Sequence, residues 1–320
     1  MFSRKNRARG LLRFTLLGLI LGSFISVSLI SELIVATNPP VKPPLGLSYV
    51  NTNGYQTRFQ QWGASSKRPI VLIHGGFESS DSWVPVATLL ARSSHVEAYD
   101  LKGYGYTSHV GPYAAEALAQ QLYAYLLARK LSHPILVGHS LGAGVIARFV
   151  LDHPHVAAGI VFLDGDGLQL TFPGKLFTDL IPSLYLSALY QTAIHSGFLI
   201  RTIFSAACGP HCRPLSSQAL AAIQRPLEVV GAEAALLAYA QHPIVGVTVP
   251  QLKRLRSVGI PSVVIFGSKD SEFSARSAYQ TATRIGAPSP TIIRGAGHLS
   301  MWSNPVQVAN AIDRFIGRLN

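Results

Sequence analysis

The segment Gly138-His139-Ser140-Leu141-Gly142 sets a serine between two glycines, after the apolar run Ile135-Leu136-Val137 and before the helix-like Ala143–Leu151. A turn this tight from strand to helix needs small neighbours around a strained residue, and it projects the serine hydroxyl alone at a sheet edge. The first backbone N–H groups of the following helix lack carbonyl partners, so the N–H of Leu141 can hold negative charge on a carbonyl oxygen. Such a serine is suited to nucleophilic attack on an acyl group.

A serine hydroxyl is a poor nucleophile at neutral pH. It needs a base, and the base needs a group that fixes its tautomer. Of the 11 histidines, His298 is the candidate base, because Gly295-Ala296-Gly297-His298 forms a flexible turn between the last apolar run and the final helix. His139 adjoins Ser140, but its side chain should point away. His133, His153, His155 and His242 border prolines or helix ends, where surface and capping roles are expected, and His74 is expected to brace the turn it opens. For the acid, Asp270 follows Ser262–Phe266 through Gly267-Ser268-Lys269, which gives the order Ser, Asp, His. Asp164, at the end of the run Ile160–Leu163, is the rival acid, and Glu272 is read as a surface carboxylate. In His74-Gly75-Gly76-Phe77, two glycines let backbone approach a reacting carbonyl, so the N–H of Gly76, with Phe77 as the alternative, is the second oxyanion donor. This chemistry requires no metal or organic cofactor.

Parallel-sheet architecture is what would bring these residues to one edge. Leu47–Val50 and Gln56–Gln61 read as strands joined around Asn53-Gly54. Ile70–Ile73, Val96–Tyr99, Ile135–Val137, Ile160–Leu163, Ser262–Phe266 and Thr291–Ile293 are short apolar runs of the kind buried on both faces of a sheet. Helical segments are expected at Tyr113–Arg129, Ala143–Leu151, Ser274–Ile285 and Val306–Leu319, and such alternation implies a mostly parallel sheet covered by helices. Between Gly165 and Gly259 the rhythm breaks. Phe172, Phe177, Tyr185, Tyr190, Phe198 and Phe204 recur there without strand periodicity, as in a helical insertion placed over one end of the sheet, with these aromatics forming its core.

The chain has 320 residues, 48% of them hydrophobic, and Lys and Arg outnumber Asp and Glu by 27 to 15. Five basic residues (Arg4, Lys5, Arg7, Arg9, Arg13) crowd the start and the others are scattered, which argues against nucleic acid and for an anionic lipid or envelope surface. Residues 1–13 form a basic tail expected in the cytoplasm. Residues 14–36, with Glu32 as their one charge, are expected to form a transmembrane signal-anchor, and 37–46 a Pro-rich spacer. The catalytic part is then exported; cleavage of a signal peptide and secretion is the alternative. In that compartment Cys208 and Cys212 are expected to pair as a disulfide, ahead of a metal site shared with His211. No obligate protein partner is evident.

Taken in order, His74-Gly75-Gly76, the run Asp100-Leu101-Lys102-Gly103-Tyr104-Gly105-Tyr106-Thr107, the Ser140 turn, Asp270 and Gly297-His298 resemble the α/β-hydrolase superfamily from about Leu47 to the C-terminus. The resemblance implies an α/β fold whose mostly parallel eight-stranded sheet is flanked by helices. It also implies a cap inserted after the sixth strand and hydrolysis through an acyl-enzyme. The break in rhythm sets the expected bounds, a core at 47–164 and 260–320 and a helical cap at 165–259, and an aromatic cap beside a membrane points to a small, apolar carboxylic ester. Thr107 stands where relatives usually carry serine. A serine at 140 sets aside the dehalogenases and epoxide hydrolases, which use an aspartyl nucleophile. The same triad also serves cofactor-free perhydrolases and carbon–carbon bond hydrolases. A non-catalytic membrane-tethered binding protein is a third reading, whose mark, a lost triad residue, is absent.

Overall fold

The computed structural model describes residues 4–169, 183–241 and 245–319; the side chains of residues 4–17, 19, 20, 183, 184 and 241 lie outside that set. Phe172, Phe177, His242 and the five basic side chains of the tail are therefore outside the described residues. All eight expected strands form: β1 (Ser48–Thr52), β2 (Tyr55–Trp62), β3 (Pro69–Ile73), β4 (His95–Tyr99), β5 (Ile135–His139), β6 (Gly159–Leu163), β7 (Ser262–Gly267) and β8 (Thr291–Ile293). They make one sheet in the order β1-β2-β4-β3-β5-β6-β7-β8. Only β2 runs against its neighbours, pairing antiparallel with β1 and β4, and the strands from β4 to β8 are parallel.

The apolar runs are continuous because both faces of the sheet are covered, and alternate residues go to opposite faces. Val71, Ile73, Leu136, Ile160, Phe162, Val264 and Phe266 pack on one face against helices α3 (Ala115–Ala128) and α4 (Leu141–Asp152). Ile70, Leu72, Ile135, Val137, Val161, Leu163 and Ile265 pack on the other, against α2 (Val84–Leu90) and the C-terminal helix α12 (Pro305–Gly317). Helix α2 was not expected from sequence, since its seven residues are too few to show an apolar period.

Between β6 and β7 the described residues hold five α-helices: α5 (Ser183–His195), α6 (Gly197–Cys208), α7 (Ser217–Gln224), α8 (Ala232–Gln241) and α9 (Val249–Val258). The last buries Leu252 and Leu255 in the sheet-facing core, beside α10 (Ala275–Ile285). A short helix α11 (Ser300–Ser303) precedes α12.

The N-terminal segment is one continuous helix, α1 (Arg4–Thr37), that packs against α5, with Phe24 edge-on to Tyr185 at 6.0 Å. Among the described residues no helix is long and apolar enough to cross a membrane, so the span expected at 14–36 is not shown. The Pro-rich stretch is tied down at one point, where the N–H of Val41 donates to the carbonyl of Glu228 at 2.9 Å.

Candidate active site

Strand β5 ends at His139 and α4 begins at Leu141, so Ser140 alone makes the turn, with φ +49° and ψ −115°. A non-glycine residue held there costs about 1–3 kcal/mol, which surrounding bonds must offset. Its N–H donates to the carbonyl of Leu163 and its carbonyl accepts from the N–H of Ala143, each at 3.0 Å. The turn can close because position 142 is glycine: a Cβ there would run into the carbonyl oxygens of Ile73 and His74 at the end of β3. Leu141 is the first residue of α4, where the N–H has no intrahelical acceptor. Gly76 lies alongside, since a Cβ on it would come within 4.0 Å of the Leu141 side chain. Phe77, the alternative donor, has φ +60° and an exposed side chain.

His298 and Asp270 meet across the same edge of the sheet. The imidazole Nδ1 lies 3.0 Å from Asp270 Oδ2, and both side chains are buried. Asp270 Oδ1 accepts the N–H groups of Glu272 (2.7 Å) and Phe273 (2.9 Å), which fix the carboxylate's orientation. The Phe273 ring stacks on the imidazole at 5.7 Å. With Nδ1–H given to Asp270, the lone pair sits on Nε2, the nitrogen that can take a proton. The exposed Glu272 carboxylate approaches Nε2 at 3.4 Å.

The loop carrying His298 is fastened on both sides by the end of α6. The N–H of Gly297 donates to the carbonyl of Cys208 at 3.1 Å, and the N–H of Leu299 donates to that of Ala207 at 3.3 Å. Cys208 is joined to Cys212 in a disulfide with Cα atoms 5.4 Å apart. His211 Nδ1 lies 3.4 Å from the amide of Asn304. Among the described residues no group of three or more His, Cys, Asp or Glu is placed to hold a metal ion.

Asp164, the rival acid, is fully buried but spends its oxygens elsewhere. One accepts the N–H of Gly267 at 2.7 Å and the other the hydroxyl of Ser300, so it ties the exit of β6 to β7 and α11. Burial pushes its carboxyl up to about 6. His74 is also buried. Its Nδ1–H donates to the carbonyl of Gly75 (2.7 Å) and its Nε2 accepts the N–H of Leu101 (2.9 Å), a neutral tautomer that burial favours by lowering the ring's pKa.

Two sets of contacts escaped sequence reasoning. Asp100 is a hub that accepts from the N–H (2.7 Å) and hydroxyl (2.6 Å) of Ser80, the N–H of Tyr106 (2.7 Å) and the buried Arg58 (3.2 Å). Thr107, at the position of departure, accepts the N–H of Arg58 at 2.9 Å, a bond that either hydroxyl residue can make. Glu78 sits 2.8 Å from Nδ1 of His139, whose ring faces this carboxylate on one side and the His298 carbonyl on the other.

Comparison with known proteins agrees with this architecture. The chain is 24% identical over 275 residues to 2-hydroxy-6-oxo-6-(2'-aminophenyl)hexa-2,4-dienoic acid hydrolase of Metapseudomonas resinovorans, covering 84% of this chain and 90% of the relative. It is 33% identical over 131 residues to ethanol acetyltransferase 1 of Cyberlindnera fabianii, a match to 40% of this chain and only 39% of that relative's length. The crystal structure of a membrane phospholipase A, a bacterial virulence factor, superposes with a TM-score of 0.67 at 20% identity, covering 98% of this chain and 99% of the other, a likeness of fold. The model of the alpha/beta hydrolase family matches residues 70–311, and the chain belongs to that family.

Proposed function

We propose that this chain is a serine hydrolase that cleaves a carboxylic ester through an acyl-enzyme. His298 takes the proton of Ser140, Ser140 attacks the ester carbonyl, and the N–H groups of Leu141 and Gly76 receive the oxyanion. The same imidazole protonates the leaving alcohol, and water then releases the acid by the reverse sequence. Asp270 keeps the proton on Nδ1 throughout. The observation that carries the reading is the 3.0 Å contact between Asp270 and His298 Nδ1, on the sheet edge where Ser140 makes its strained turn. Membrane attachment through residues 14–36, with the catalytic part exported, is proposed on the basic flank and apolar run of the sequence. An apolar ester is the substrate class that such a location favours.

A second reading, carbon–carbon bond hydrolysis on the same residues, is favoured by the match to nine tenths of the dienoic acid hydrolase. The test is labelling of the full-length chain with a fluorophosphonate probe, followed by product analysis on ester and diketone substrates. Labelling lost in both Ser140→Ala and His298→Ala supports an activated serine, and the products then separate the two reactions. A folded wild type that takes no label refutes the proposal.

A further inference from the structure

His139 and Glu78 meet beneath Ser140, and neither has a part in the chemistry assigned to Ser140, His298 and Asp270. The His139 side chain is fully buried and that of Glu78 is 12% exposed, with Nδ1 and Oε1 2.8 Å apart. The Nδ1 edge of the ring faces the Glu78 carboxylate. On the far side of the ring, Nε2–H donates to the backbone carbonyl of His298 at 2.8 Å. A neutral imidazole has one N–H. Given to the His298 carbonyl, it would leave a bare lone pair against the Glu78 carboxylate, so the arrangement calls for an imidazolium.

The pair joins three loops: the one after β3 that bears Gly76, the turn of Ser140, and the loop of His298. The first two converge on the space in front of Gly75, and the third is reached through the His298 carbonyl. A Cβ at that position would stand 2.6 Å from Glu78 Oε1, 2.7 Å from His139 Nδ1 and 3.1 Å from the Cβ of Ser140. Besides Glu78, the groups that face His139 are Asp164 at the exit of β6, His74 after β3, and the His298 ring at 4.9 Å, with the Trp83 indole edge-on at 6.4 Å. Burial works against a charged ring, but Glu78, aided by Asp164, outweighs it and pushes His139 up to about 9. A buried ion pair gives little net stability over an apolar replacement, which leaves geometry as what this one supplies.

We propose that the His139–Glu78 pair positions the base, tying the backbone of His298 to the oxyanion loop so that imidazole and Gly76 N–H keep one spacing about Ser140. This rests on the assignment of Ser140 and His298 above. Both members are positioning residues, since the ring and the carboxylate act through the His298 carbonyl and the β3 loop.

The test compares Glu78→Gln, His139→Gln and the double variant, as full-length chains, in hydrolysis of a p-nitrophenyl ester. Each single variant should lower kcat on the order of 10- to 100-fold, the scale of a small misplacement of reacting groups, with KM little changed. The double variant should fall no further than the worse single, because both break one device. Glu78→Asp, which keeps a carboxylate, should recover part of the loss. Single variants with wild-type kcat, or losses that add in the double, overturn the proposal. Independently of folding in any variant, the nitrogen-15 spectrum of histidine-labelled wild type at neutral pH should show two ring N–H groups on His139, and a single one overturns the ion pair. If wild-type Ser140 takes no phosphonate label, the hydrolase assignment fails and the positioning role with it, while the spectrum still decides the ion pair.

Discussion

Replacing Asp270 by Asn should separate the two candidate acids. Asp270 Oδ1 accepts two backbone N–H groups at 2.7 and 2.9 Å, so an asparagine keeps its carbonyl oxygen there and presents its NH2 group where Oδ2 now lies, 3.0 Å from His298 Nδ1. That NH2 donates to Nδ1 and moves the imidazole proton to Nε2, the nitrogen that accepts from Ser140 in the proposed mechanism. A wrong tautomer costs about 10⁴-fold in kcat, or about 5.4 kcal/mol at ~1.36 kcal/mol per decade. In Asp164→Asn the amide oxygen still accepts from Gly267 and the NH2 group meets a hydroxyl that can rotate to accept, so the loss should be about tenfold or less, the scale of one hydrogen bond. The assay is kcat/KM on a p-nitrophenyl ester, with both variants checked for folding by circular dichroism. D270N within tenfold of wild type, alongside a D164N that loses a thousandfold or more on the same ~1.36 kcal/mol-per-decade scale, would refute the assignment.

Glu272→Gln should leave kcat/KM unchanged or raise it slightly in the same assay, because the exposed Glu272 carboxylate lies on the Nε2 side of His298, away from the Nδ1 contact with Asp270. Reducing the Cys208–Cys212 bond, or Cys212→Ser, removes a cross-link worth about 2 kcal/mol in chain entropy for so short a loop, or about 3 °C in melting temperature for a chain this long. It should also lower kcat, since the backbone of Cys208 holds Gly297. Stability to urea should fall as pH rises from 6.5 to about 9. The folded pKa of His139 lies above its ordinary value, so its contribution is complete below 6.5 and is lost through about 9. His139→Gln should flatten the urea midpoint over that window.

What the sequence made legible was whatever has a local signature. Strands buried on both faces read as short apolar runs, uninterrupted at Ile70–Ile73, Ile135–Val137 and Ile160–Leu163, and Asn53-Gly54 marks the hairpin with positive φ at both residues. Ser140, Asp270 and His298 each follow a strand and sit among small residues, so their place at one edge follows from a parallel sheet. The sequence places Asp270 ahead of Asp164 without showing what either carboxylate touches. Both follow strands, and they differ in what their oxygens meet: Nδ1 of His298 for one, Gly267 and Ser300 for the other. Glu78 and His139 are 61 positions apart in a chain with no pattern linking them, and the link between Ala207, Cys208 and the His298 loop spans about 90. Such pairings come from the sheet order, in which β3 and β5 are neighbours although β4 lies between them in sequence.

The end of α6 makes the inserted helices something other than an interchangeable accessory. The last carbonyls of α6 grip both sides of His298, so an insert exchanged from a relative arrives with its own hold on the proposed base. Chimaeras built by such exchanges should change turnover on every substrate along with selectivity among them. Variants selected for speed alone should gather around residues 205–212 as readily as around Ser140.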